Sequence, residues 1–286
     1  MERRAFRAMG TDVELLLDAP QSVESFLALA VAEREMSRLE ALLSRFREDS
    51  ELSALNRSGS LHAGPDLARV TQLAVEARTR TEGRFDPTVH DAIVAAGYDR
   101  SFEELDGRVA TAAAPMRCGG GVSVDPATGL IALEPGFRLD LGGIAKGYAV
   151  DRLCDVLSPR GPCLVDAGGD IAVRGGSWPV GVETSEGMIT LELSYGAVAT
   201  SGIDRRRWRT AAGEAHHMID PETGQPADRD LVRVTVVADS AIEAEVLAKS
   251  LFLAGAEQAE LEANDRGTRA VLVTTDNRTV LAGGLS

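Results

Sequence analysis

Three strand-like runs, CLVDAGGDIAVRG (163–175), ITLELSYGAVATSG (189–202) and LVRVTVVA (231–238), follow one another with no helical pattern between them. This succession limits the fold more than any other feature. Parallel neighbours need a long crossover after each strand, usually a helix, whereas antiparallel neighbours need only a turn. The expected class is therefore α+β, a mainly antiparallel sheet with packed helices, and not a doubly wound sheet. Further strands are expected at VELLLDA (13–19), at RLDL (138–141), and in a hairpin over 122–133 around an Asp-Pro turn.

Helices are expected over 22–43, with Phe26, Leu29, Met36, Leu39 and Leu43 at helical spacing, and over about 66–81, stopping at Gly83. Another begins after the Gly142-Gly143 pair. The last follows LVRVTVVA, with Ser240 and Glu243 as an S-x-x-E capping box, Ala244, Leu247, Ala248 and Leu251 on one face, and Gly255 at its end. No low-complexity linker or solenoid period interrupts the chain, so residues 1–286 read as a single domain.

A net charge of −14 and a pI near 4.8 repel the phosphate backbone and exclude nucleic acid as a natural partner. An anionic small molecule would need a local cluster of donors. Cys118, Cys154 and Cys163 are scattered and odd in number, which suggests neither a disulfide framework nor a thiolate metal site. The N-terminal MERRAFRAMGTDVELLL lacks the apolar stretch of a signal peptide, and no run of about 18 apolar residues occurs. No integral membrane segment is expected, and the location expected is cytoplasmic, unless an export leader has been trimmed.

Four segments carry the residue types that chemistry needs. DLGGIAKG (140–147) joins a flexible double glycine to a helix N-terminus with Lys146 in its first turn. Free amides, the positive end of the helix dipole and an ammonium suit a phosphate or pyrophosphate, although an ordinary tight turn would also explain them. The Walker pattern is not matched. VDAGGD (165–170) reads as a bulge or a point where backbone approaches a ligand.

HHMIDPETGQP (216–226) contains a D-P-x-T-G element that recurs at 125–129 and is therefore a structural turn. His217, near Asp220, is left as a candidate general base or phosphate contact. ATSGIDRRRW (199–208) supplies hydroxyls at Thr200 and Ser201, then Arg205, Arg206 and Arg207, whose forks suit phosphate oxygens. Ser201 with His217 does not make a serine hydrolase of the elbow type, because G-x-S-x-G is missing.

Taken in order, MGT at Met9, SRFREDSELSALN (44–56), EGRFDPTV (82–89), LDLGGIAKGYAVD, VDAGGDI, ATSG, HHMIDPETGQP and VTVVADSAIEAEVLAKSLFLAG resemble the ApbE family, the FAD:protein FMN transferases. The resemblance implies a T-fold-like α+β architecture. It also implies a reaction in which the FMN half of FAD passes to a threonine or serine hydroxyl of an acceptor protein and AMP leaves. FAD is then the substrate and the acceptor protein a partner. FAD hydrolysis to FMN and AMP, or FAD carriage without catalysis, are the alternatives. By the same resemblance Met9, Phe46, Arg84, Phe85, Asp86, Asp140 and Lys146 fall at FAD contacts, with Thr200, Ser201 and Met218 beside them. His217 falls near the reacting phosphate, with Lys146 the second catalytic candidate, and the Gly143 carbonyl falls on a magnesium ligand.

One departure concerns the metal. The family pattern has aspartate and, four residues on, threonine as magnesium ligands in the last helix; here these positions hold Glu245 and Lys249. A protonated lysine cannot ligate. Three readings stay open: a Glu–Lys pair bracing the helix, an ammonium standing where the metal charge would be, or magnesium retained through Glu245, Gly143 and the phosphates.

Overall fold

The computed structural model describes residues 1–105, 109–110, 114–211 and 213–285. The chain divides into two compact units, one of 1–40, 144–201 and 230–286 and one of 41–143 and 202–229.

The first unit is built on an eight-stranded sheet. Its strands are β1 (Glu2–Ala8), β2 (Thr11–Leu17), β3 (Cys163–Ala167), β4 (Asp170–Thr184), β5 (Gly187–Gly202), β6 (Leu231–Ala238), β7 (Arg269–Thr274) and β8 (Thr279–Ala282), and they lie side by side in chain order. Pairing is antiparallel from β1 through β5 and from β6 through β8. The class is therefore α+β, with β3, β4 and β5 following one another directly as antiparallel neighbours. Period-two burial shows the register: in β2, Val13, Leu15 and Leu17 are buried while their neighbours are not. Leu164, Val173, Val180, Val198, Val237 and Val271 belong to one core cluster.

Helices α1 (Val23–Leu43), α2 (Ala145–Leu157), α3 (Ala241–Ala254) and α4 (Ala256–Arg266) complete this unit. Helix α2 packs on β3, β4 and α3, and α3 packs on β6. The α3 cap is as expected at Ser240, whose Oγ accepts the Glu243 N–H at 3.2 Å. A second cap comes from Asp151 on α2, whose carboxylate accepts the Ala241 and Ile242 N–H groups at 3.0 and 3.1 Å. Burial raises the Asp151 pKa against the lowering effect of those amides and Arg174. Among the described residues no helix is long and apolar enough to cross a membrane.

In the second unit, helices Glu51–Ser58 and Pro65–Arg80 accompany a three-stranded sheet ordered Ser60–His62, Leu130–Leu133, Val122–Val124. Ile93, Tyr98, Leu105, Trp208, Ala215 and Ile219 belong to a core cluster of this unit. The repeated D-P-x-T-G element makes the same turn twice. Gly129 N–H donates to the Asp125 carbonyl and Gly224 N–H to the Asp220 carbonyl, both at 2.8 Å. Each aspartate Oδ1 accepts the amide two residues on at 2.9 Å.

Three expectations are corrected. RLDL is not a strand: the backbone of Leu139 is satisfied by the Asn56 amide, which donates to Leu139 O at 2.9 Å and accepts from Leu139 N at 2.7 Å, and the Asp140 N–H donates to the Pro87 carbonyl at 2.8 Å. The glycines of VDAGGD form no bulge but a two-residue hairpin turn between paired Ala167 and Asp170, with φ of 68° and 97°. Phe26 is 60% exposed, because the buried stripe of α1 passes through Ser25, Leu29, Ala32, Met36, Leu39 and Leu43. One residue further on is about 100° around the helix.

Candidate functional site

In the first unit the chemistry-bearing residues gather at the N-terminus of α2. Lys146, in the first helical turn, pairs with Asp170 Oδ2 and, at 3.1 Å, with Glu245 Oε1. Glu245 Oε2 accepts the Gly147 N–H at 2.9 Å. Both carboxylates are buried, Asp170 at 2% and Glu245 at 4% exposure. A charge taken out of water this far must be paired and hydrogen-bonded, and here one ammonium serves two carboxylates. Its position also brings a fixed cation to the end of the helix where backbone amides and the dipole favour anions.

Local sequence explains the construction. Asp170 is the first residue after the Gly168-Gly169 turn, and Asp166 Oδ1 closes that turn by accepting the Gly169 N–H at 2.9 Å. A Cβ at Gly168, where φ is 68°, would meet Thr11 Oγ1 at 2.0 Å, so the turn excludes other residues. Gly147 has a different reason to be glycine. A Cβ there would meet the Ala241 carbonyl oxygen at 2.7 Å and carbon at 2.8 Å, because α2 and α3 approach backbone to backbone. That approach allows Glu245 to reach the Gly147 amide. We expect Gly147→Ala to destabilise the protein by roughly 1–3 kcal/mol through overpacking against rigid backbone. The check is the urea midpoint, and an unchanged midpoint would show that the helices can separate freely.

Met9 lies in the β1–β2 hairpin turn with φ 52°, followed by Gly10 at 66°. A non-glycine residue in the left-handed region is uncommon, and asparagine or aspartate usually fills this place. The Met9 N–H is held by Glu40 Oε1 at 2.8 Å. A flexible apolar side chain is thus kept at a costly backbone position, which marks Met9 as a functional candidate. Thr200, exposed at the end of β5, shares a hydroxyl–hydroxyl contact of 2.9 Å with buried Thr235, and Ser201 is buried.

In the second unit Asp140 is the hub. Its Oδ2 meets Arg45 Nε at 2.7 Å, with both side chains under 10% exposed, and its Oδ1 accepts the Gly142 N–H at 2.7 Å. The same guanidinium donates to the Tyr98 carbonyl at 2.8 Å and lies 4.1 Å from the Phe46 ring centroid and 4.7 Å from that of Tyr98. Tyr98 in turn packs on Trp208 at 5.1 Å between centroids. Phe46, 41% exposed, is the outward face of this cation–aromatic stack.

Phe85 and Asp86 act inside the protein. Phe85 is buried with its N–H on Thr81 Oγ1, and Asp86 accepts the Thr88 amide and hydroxyl at 2.8 Å each and the Gly119 amide at 2.6 Å. They shape the loop that presents Arg84, which is half-buried. Met218 is buried and His217 half-buried, between strands Gly213–His216 and Ile219–Asp220. Asp220 Oδ2 is engaged by Arg229 at 2.9 Å and thereby fixes the turn after the histidine. Arg207 pairs with Glu214 on the neighbouring strand at 2.7 Å, both well exposed. The Cys118 thiol is pushed up to about 12 by burial and by Asp86, Asp220 and Asp91, so it stays protonated and is no nucleophile.

Magnesium was expected at the Gly143 carbonyl and Glu245. The side chains present do not fit that ion. Both Glu245 oxygens are already committed, to an ammonium and to an amide, position 249 is lysine, and octahedral Mg²⁺ at short distances needs open oxygen donors. Among the described residues no three His, Cys, Asp or Glu side chains are arranged to hold a metal ion.

Arg45, Tyr98, Trp208 and Asp170 are the residues that sequence reasoning missed. Arg45 and Asp170 stand inside segments that were recognised, next to or just after residues singled out. Trp208 closes the ATSGIDRRRW segment, whereas Tyr98 carried one signal only, its type, in a chain with 4% aromatic residues.

The ApbE family model matches residues 9–272. The FAD:protein FMN transferase of Treponema pallidum is 28% identical, the alignment covering 87% of this chain and 78% of that protein. The one of Haemophilus influenzae is also 28% identical, with 87% and 81% covered. Among solved structures, the ApbE protein of Thermotoga maritima matches with a TM-score of 0.85 at 25% identity, over 98% of this chain and 96% of that one. The flavin transferase ApbE of Vibrio cholerae matches with a TM-score of 0.76 at 23% identity, over 98% and 97%, and speaks for the fold. With the glycine turns, the lysine at the α2 N-terminus and the histidine turn in the family's order over nearly the whole length, the chain belongs to the ApbE family.

Proposed function

We propose that this chain transfers FMN from FAD to a threonine or serine hydroxyl of an acceptor protein. The hydroxyl oxygen bonds to the phosphorus on the flavin side of the pyrophosphate. The bond from that phosphorus to the bridging oxygen breaks, AMP leaves with the electron pair, and the hydroxyl proton passes to a base. The names of the curated relatives support this reaction. The observation that carries it is the Lys146 ammonium, held by two buried carboxylates at a helix N-terminus. A cation fixed in advance stabilises charge developing on a phosphate without reorganising during the reaction. In this reading His217 takes the hydroxyl proton, Met9 and Phe46 meet the flavin, and Asp140 holds the Gly142 amide of the double-glycine turn.

The test is to incubate the protein with FAD and a threonine-containing peptide, measuring AMP by chromatography and FMN on the peptide by mass. AMP together with a flavinylated peptide is the expected result. AMP with free FMN alone would make the enzyme a pyrophosphatase, and bound FAD without AMP would make it a carrier.

A further inference from the structure

We propose that the cation at the reacting pyrophosphate is, in this chain, the Lys146 ammonium itself, and that Lys146 closes the Asp170–Glu245 carboxylate pair to divalent metal. The inference rests on the FMN-transfer reading above. Its ground is the geometry at the start of α2. Asp170 Oδ2 and Glu245 Oε1 both face one point, and Lys146 Nζ stands there. Two buried carboxylates from different elements converging on a point are what a hard divalent cation would use. Here the point is filled by a side chain of the protein.

Three further observations agree. Glu245 Oε2 is turned away to the Gly147 N–H at 2.9 Å, which fixes the carboxylate plane for the ammonium. Asp170 cannot readily swing aside, because it directly follows a two-residue turn whose first glycine packs against Thr11. Lys249, one turn along α3 from Glu245 and half-buried, is a second lysine on this helix, at the position where the family pattern has a metal-ligating threonine. Evicting a buried ammonium from two buried carboxylates requires its solvation elsewhere, and that raises the cost of metal entry.

The proposal makes Lys146→Ala a gain of function in metal binding. Removing the ammonium leaves two buried carboxylates facing each other, and like charges at one site draw in a divalent cation. The experiment is a titration with Mn²⁺ alone, followed by paramagnetic resonance of the free ion, on the wild type, on Lys146→Ala and on Lys146→Ala with Asp170→Asn. It is repeated with FAD present and accompanied by AMP release in excess chelator.

The wild type is expected to bind Mn²⁺ no more tightly than the protein surface or free FAD does, and its AMP release to be the same with and without chelator. Lys146→Ala is expected to bind one Mn²⁺ at least roughly tenfold more tightly, in line with affinity set by ligand charge, and Asp170→Asn to abolish the gain. One tightly held Mn²⁺ in the wild type, lost in Glu245→Gln, would overturn the proposal. So would AMP release that collapses in chelator and returns with Mg²⁺. The wild-type titration decides the matter even if Lys146→Ala does not fold. Absence of AMP under every condition would instead count against FMN transfer, while the Mn²⁺ titration would still test the closed site.

Discussion

Asp140→Ala is expected to destabilise the second unit by about 3–5 kcal/mol, the cost of leaving one partner of a buried ion pair uncompensated. Asp140 and Arg45 are 8% and 7% exposed at their side chains and meet at 2.7 Å. Alanine would strand the guanidinium among Phe46, Tyr98 and the Tyr98 carbonyl, which satisfy its faces and one N–H group but not its charge. It would also orphan the Gly142 amide. Asp140→Asn is expected to be milder, because an amide oxygen can still accept from Gly142. The two tryptophans allow a clean measurement: Trp178 lies in β4 of the first unit and Trp208 in the second, packed on Tyr98. In a Trp178→Phe background, urea unfolding followed by the remaining fluorescence reports the unit that contains the pair. A loss below about 1 kcal/mol would be in the range of a surface pair and would refute the assignment. FAD affinity should fall as well, since the Arg45 plane and the double-glycine turn are both positioned by this carboxylate.

The sheet was legible where strands alternate in burial and follow one another directly, as β3, β4 and β5 do; β2 to β3 and β5 to β6 are joined through other elements, although chain order and spatial order coincide along the sheet. Where the reading of strands failed, a side chain or a turn had replaced a ladder. Asn56 supplies to Leu139 the donor and acceptor that a neighbouring strand would supply, and RLDL carries no trace of this. The Gly168-Gly169 turn was visible as glycine, but bulge and hairpin have the same local spelling. Only the pairing of Ala167 with Asp170 separates them.

The site divides in the same way. Lys146 and His217 stood out by residue type and context, and Glu245 by its place in the family pattern. The contacts that give them meaning are remote in sequence: Lys146 to Glu245 spans 99 positions and Arg45 to the Tyr98 carbonyl spans 53. No spacing rule reaches that far. Asp170 was therefore passed over as the end of a glycine motif, although it is one of two carboxylates that hold the Lys146 ammonium.

His217→Ala is expected to lower AMP release by about 10²- to 10⁴-fold, the usual worth of a positioned general base, with FAD affinity nearly unchanged. The histidine sits between two short strands, and the turn that follows it is pinned by Asp220, through the Glu222 amide at 2.9 Å and Arg229 at 2.9 Å. Its position is thus fixed by hydrogen bonds that do not require the imidazole, so alanine removes the base without dissolving its support. The neighbouring His216 provides the control. Burial lowers its pKa, its Nδ1 is buried without a hydrogen-bond partner among the described residues, and it lies in the strand that pairs with Arg207. His216→Ala is expected to alter stability while leaving the rate within about threefold, a margin under 1 kcal/mol on the barrier. A His217→Ala protein that released AMP within threefold of the wild type would leave the proton to another acceptor and remove the histidine from the reaction.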